Sequence, residues 1–124
     1  MIDSWNTILD GVKLDVMAPQ DSIGCTGTTL EYQQIMFKVW RQICDNKNIR
    51  FWSNVELFEA RDCSQIDTSI CADTRRIAHQ MYNASQVAEK LISWEMLSYT
   101  DVARHGERAQ ALKTFLQKCG AAAK

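Results

Sequence analysis

Residues 48–61 read NIRFWSNVELFEAR, and the phase of this stretch decides the architecture. Phe51, Trp52, Val55, Leu57 and Phe58 make it apolar and rich in strand-forming side chains, with neither proline nor glycine to interrupt it. Asn54 and Glu56 lie two residues apart and therefore emerge on one face of a strand. An amide beside a carboxylate on a largely apolar strand has two readings. Either that face is exposed, or the strand end forms the floor of a polar site.

Upstream, Thr28 and Glu31 have the spacing of a capping box and open a helix. Its apolar stripe is Tyr32, Ile35, Met36, Val39, Trp40 and Ile43, and the run Asp45 to Asn48 closes it. Before it, Leu14, Val16 and Ala18 alternate with Asp15 and Met17, which predicts a strand over 13–18 that ends where Pro19 removes a donor. A short helix precedes that strand, capped at Asp3 or Ser4 and stopped at Gly11.

Downstream, residues 59–73 form a 15-residue connection, long enough in a compact domain to suggest a functional rim loop. Asp73 caps a helix starting at Thr74, with Ile77, Met81, Ala84 and Val87/Ala88 on one face. Residues 90–99, KLISWEMLSY, predict a third strand. A last helix over 107–119 buries Ala109, Leu112, Leu116 and Cys119.

A helix followed by three strand–helix units requires parallel strands joined by crossovers. The class is therefore α/β, with three consecutive βα units and a parallel sheet. Three such strands alone leave two bare edges and one poorly covered face. A complete (β/α)8 barrel needs about 250 residues, so the 124-residue chain reads as a single domain or as a fragment of such a barrel.

Composition excludes several functions. A net charge of −1 leaves no basic stripe for nucleic acid or an anionic membrane surface, and no apolar run reaches bilayer-spanning length. The first residues lack the basic start and hydrophobic block of a signal peptide; export of a longer protein stays open. His79 and His105 have no second ligand at metal spacing, so no metal or cofactor is expected. The five cysteines include no C-x-x-C pair. Free, mostly buried thiols are the default, with a Cys63–Cys71 disulfide as the alternative in an exported protein. The Asn83-Ala84-Ser85 triplet fits a glycosylation acceptor but falls inside a predicted helix.

Three segments, LDVMAPQDSIG (14–24), FWSNVELFE (51–59) and RRIAHQMYNASQVAEKLISWEMLSY (75–99), resemble in order the C-terminal part of a bacterial glycoside-hydrolase-like TIM-barrel family, domain of unknown function 4434. Ser22 stands where that family more often has glycine, so the turn after Asp21 is expected to differ. The resemblance implies a partial barrel without its N-terminal βα units, including the strand carrying the family's glutamate acid/base candidate. Its partner would be that missing half or a second copy of the chain.

Barrel geometry then resolves the opening question. Inward-facing strand residues and strand C-termini carry function in such folds, which places Trp52, Asn54, Glu56 and Phe58 inward. The same phase on the first strand puts Asp15, Met17, Pro19 and Asp21 inward. Glu56 and Asp21 become catalytic candidates, since glycosidases use two carboxyl groups flanking the scissile bond. Gln20, Asn54, Trp94 and Tyr99 become candidate carbohydrate-binding residues, Trp94 as a flat platform for a sugar ring. The structural alternative for Glu56 is pairing with Asn54, Arg50 or Arg61. The expected function is that of a glycoside hydrolase-like barrel; the rivals are a non-catalytic sugar-binding barrel and a small self-associating α/β domain.

Overall fold

The computed structural model describes residues 2–60 and 62–122. The chain runs α1 (Ile2–Asp10), β1 (Val16–Met17), α2 (Leu30–Lys47), β2 (Arg50–Glu56), β3 (Phe58–Glu59), a 3-10 helix (Cys63–Thr68), β4 (Ile70–Cys71), α3 (Thr74–Ser85), β5 (Lys90–Trp94), α4 (Met96–Tyr99) and α5 (Val102–Ala122). The sheet order is β1-β2-β5 and both pairings are parallel. The α/β class and the three-unit parallel sheet stand as predicted. Above the sheet, β3 and β4 pair antiparallel, so part of the predicted rim loop is a small ordered hairpin.

Local chemistry sets the boundaries. Thr29, not Thr28, caps α2 by accepting the Tyr32 N–H at 3.2 Å. The Thr28 hydroxyl is instead paired with Thr26 at 2.8 Å. Asn48 ends the helix in the left-handed conformation, φ 54°, which asparagine tolerates better than most residues. Asp73 caps α3 through the Arg75 N–H, as expected. The predicted strand over 13–18 is only two residues long, and the one over 90–99 stops at Trp94. Gly106 (φ 58°, ψ −137°) breaks α5 just before the predicted start at Glu107.

The helices cover one face of the sheet. Phe51 packs with Phe37, Ile43, Cys44 and Ala84, while Val55 and Leu57 pack with Ile77 and Leu112. The other face, carrying Trp52, Asn54, Ile92 and Trp94, has no layer over it within the described residues. Trp52 lies there half-buried between Arg50 and Lys90, 5.6 and 4.5 Å from its ring. It is a cation–π contact rather than an apolar core residue.

Helix α2 departs from its predicted stripe. Its sheet-facing residues are Gln33, Phe37, Ile43 and Cys44, while Tyr32 and Ile35 remain 53% and 59% exposed. The apolar stripe lies roughly a quarter-turn away, where Trp40 meets Trp5 of α1 edge-on at 4.9 Å. Cys119, expected in the core, is exposed.

Cysteine pairing is corrected. Cys25 is bonded to Cys63, with a Cα–Cα distance of 5.0 Å, and Cys71 is a buried free thiol. Cys71 belongs to β4 and points into the core cluster around Phe58 and Tyr99. The loop after β1 therefore supplies the partner for Cys63.

Candidate functional site at the strand ends

Register fixes which side chains share a face. Val16 pairs with Arg50, Met17 with Phe51 and Gln20 with Asn54. Directly paired residues in a sheet point the same way, so Gln20 lies with Asn54 on the open face. Met17 and Asp21 lie with Phe51 and Val55 on the helix side. The predicted phase of the first strand is thus shifted by one residue, and Asp15, expected inward, is exposed. Alternation misleads here because both faces of a parallel strand are apolar.

Asp21, 4% exposed, consequently does not look into the mouth of the sheet. Its Oδ2 accepts from Gln80 Nε2 at 2.6 Å and Gln33 Nε2 at 3.3 Å, and its Oδ1 from the Glu56 N–H at 3.3 Å. Behind these amides stands a second row. Arg76 Nη1 donates to Gln80 Oε1 at 2.6 Å, and Asn83 Nδ2 to Gln33 Oε1 at 3.1 Å. Asn83 also donates to the Leu30 carbonyl and accepts from Gln34, so it is a buried structural amide and not a glycosylation acceptor. Burial lifts the Asp21 carboxyl above its ordinary range, opposed chiefly by the Gln80 hydrogen bond.

Glu56 is 3% exposed and closes β2 on the open-face side. Its Oε2 accepts the Gly24 N–H at 2.7 Å. Gly24 makes a close approach that disfavours any side chain, because a Cβ there would sit 2.7 Å from the Phe58 carbonyl oxygen and 2.8 Å from Glu56 Oε2. Burial raises the Glu56 carboxyl, the Gly24 hydrogen bond lowers it, and the nearby Asp21 charge raises it again. Arg76 donates to the Phe58 and Glu56 carbonyls at 2.6 and 3.4 Å. The expected partners Asn54 and Arg50 make no hydrogen bond to the carboxylate among those described, and Arg61 lies outside the described residues.

Trp94 is paired in register with Glu56, so it faces the open side and is 41% exposed. Its ring meets Phe58 edge-on at 5.7 Å. Asn54 completes the row below, its Oδ1 shielded from solvent and without a hydrogen-bond partner. Gln20, Asn54, Glu56 and Trp94 are therefore gathered on one surface.

Tyr99 is not part of it. It is 7% exposed in the core, stacked on Phe58 at 5.6 Å and hydrogen-bonded to Ser69 Oγ at 2.6 Å. The strand expected to carry it to the rim ends at Trp94, and the α4 turn folds it back inward.

Gln33, Gln80, Asn83 and Arg76 are absent from the sequence-derived site. A signal for three of them existed. Gln80 and Asn83 occupy the Ile77/Ala84 face of α3, and Gln33 the Phe37/Cys44 face of α2. Amides in a buried stripe call for a buried acceptor.

Comparison with known proteins agrees with this fold. The family described as domain of unknown function (DUF4434) matches residues 2–122, so the chain belongs to that family. In solved structures it is similar to a Bacteroides thetaiotaomicron VPI-5482 protein described as a "putative alpha-L-fucosidase". The TM-score is 0.76 at 19% identity, over 94% of this chain and 35% of that one. At that identity the likeness establishes the fold alone, and the chain spans about a third of its neighbour's length. No curated protein matches.

Proposed function

We propose that this chain forms one wall of the sugar site of a carbohydrate-active barrel, with Glu56 as the acid/base carboxyl and Trp94 as the ring platform. The observation that carries the reading is the adjacency of a buried carboxyl and an exposed indole at the C-terminal ends of neighbouring parallel strands. Active sites of such folds collect at those ends. A general acid works best when it holds its proton near the operating pH, and the burial of Glu56 acts in that direction. Gln20, paired with Asn54 on the same face, would line the site alongside.

Asp21 is not the second carboxyl in this reading, because it faces the helix layer. Both glycosidase stereochemistries need two carboxyl groups, so the other would come from further βα units of a longer barrel covering the open face. A second copy of the chain is the rival cover, and a binding barrel without turnover is the rival function. Light scattering on the chain separates monomer from dimer.

The test is saturation-transfer NMR of the chain with a panel of methyl glycosides, including methyl α-L-fucoside in view of the Bacteroides protein's description. Transfer from aromatic protons to ring C–H groups is expected, and its loss in Trp94→Ala. A panel without transfer, or transfer indifferent to Trp94→Ala, would overturn the reading. Binding retained in Glu56→Gln together with turnover lost supports catalysis; binding without turnover in any form assigns a sugar-binding barrel.

A further inference from the structure

The β1–β2 ladder ends in an unusual way. Asn54 N–H donates to the Pro19 carbonyl at 3.1 Å, and the Asp21 N–H to the Asn54 carbonyl at 3.3 Å. The next rung of a parallel ladder would run from the Glu56 N–H to the Asp21 backbone carbonyl. Here the Glu56 N–H donates instead to the Asp21 side chain. The carboxylate replaces its own carbonyl, which frees the backbone to leave the sheet.

It leaves at once. Ser22 takes a left-handed conformation, φ 57°, and two residues later Gly24 lies over Glu56 with its N–H on the carboxylate. The Gly24 carbonyl accepts from the Ala60 N–H at 2.8 Å, and Cys25 is tied to Cys63. Glu56 is thus held from above by this loop, through its own N–H by Asp21, and through its carbonyl by Arg76.

The Asp21 side chain has little freedom to do otherwise. Arg76 occupies the Gln80 carbonyl oxygen and Asn83 that of Gln33, so both glutamines must present their amino groups to Asp21. The site therefore requires a group that only accepts, and an ionised carboxylate is that group.

We propose that Asp21 is a positioning residue for Glu56, which substitutes its side chain for the final ladder rung and so sets both the Glu56 backbone and the loop that seats the Glu56 carboxylate. This rests on Glu56 being the functional carboxyl. Asparagine cannot replace Asp21, because its amino group would face a donor in either orientation, the Gln80 and Gln33 side chains in one and the Glu56 N–H in the other.

The test is amide-resolved NMR and hydrogen exchange on the 124-residue chain, which needs no ligand. In Asp21→Asn the Gly24 amide proton is expected to move upfield as its bond to Glu56 loosens. Exchange of the Gly24 and Glu56 amides should accelerate about tenfold, the scale of one lost hydrogen bond. The β2–β5 ladder, including the Leu57 N–H on the Trp94 carbonyl, should keep its protection. Gln33→Met, which removes the longer donor to Asp21 together with the acceptor of one Asn83 bond, should shift the same two resonances less and serves if Asp21→Asn does not fold. Unchanged Gly24 and Glu56 amides in a folded variant would overturn the proposal, as would uniform loss of protection across the sheet in both variants. If these shifts appear but no glycoside binds, the sugar reading fails while the positioning role remains.

Discussion

Glu56 and Trp94 face each other across the β2–β5 ladder, so one carboxyl and one indole share a surface although 38 residues separate them. Parallel pairing makes such neighbours from distant sequence, because the intervening α3 must cross over before the strands meet. Substitutions at the two positions should therefore have separable effects. Trp94→Ala removes a half-exposed ring and should lower stability by about 1 kcal/mol, roughly half of full aromatic burial. Urea titration measures this, and a loss above about 3 kcal/mol would mean the ring belongs to the core.

Acidity provides a second prediction. Asp21 and Glu56 both have folded-state proton affinities raised above their ordinary values. The stability such groups contribute is complete below the unfolded value, near pH 4, and is lost as pH rises through the folded value. Glu56→Gln removes one of the two. The variant should match or exceed the parent at pH 7, lose that advantage towards pH 4, and show a flatter melting temperature across the interval. A parallel pair of curves would contradict the assignment.

Gly24→Ala should destabilise by about 1–3 kcal/mol, because the atom in the way is the Phe58 backbone oxygen and cannot rotate aside. Gly11→Ala, with nothing within 4 Å of the added carbon, is the matched control and should stay within about 0.5 kcal/mol. Equal costs at the two sites would refute the close approach.

Reduction of Cys25–Cys63, whose partners are 38 residues apart, should lower stability by about 4 kcal/mol on the chain-entropy relation. Cys25→Ser should reproduce the loss and no longer respond to reductant. Cys71→Ser should still respond, and a Cys71 variant insensitive to reductant would reassign the bond.

Tyr99→Phe should cost about 1 kcal/mol through the lost Ser69 hydrogen bond and leave glycoside binding untouched. Weaker binding with unchanged stability would return Tyr99 to the rim.

What could be read from the sequence was what repeats. The Ile77/Ala84 stripe of α3, the Asp73 cap and the strand holding Phe51 and Val55 follow from local patterns that survive packing. The phase of β1 did not, since Met17 and Val16 are both apolar and only the register with β2 distinguishes their faces. Asp21 was found but aimed the wrong way for that reason. Tyr99 was misplaced because nothing in SWEMLSY announces that the strand stops at Trp94. The disulfide was missed because Cys25 and Cys63 meet only after β1 and β2 pair. Ser22 takes a positive φ, a conformation that disfavours side chains and that no local pattern around it announces.

The bond between Cys25 and Cys63 also makes the chain a closed ring from one loop to the other, with all of α2 and β2 inside it. A protease cutting anywhere between those cysteines opens the ring without releasing a fragment. The nicked molecule would keep its mass on a non-reducing gel and separate into two pieces only after reduction. Glu56 and Asp21 would stay joined through that sulfur bridge even with the backbone between them severed.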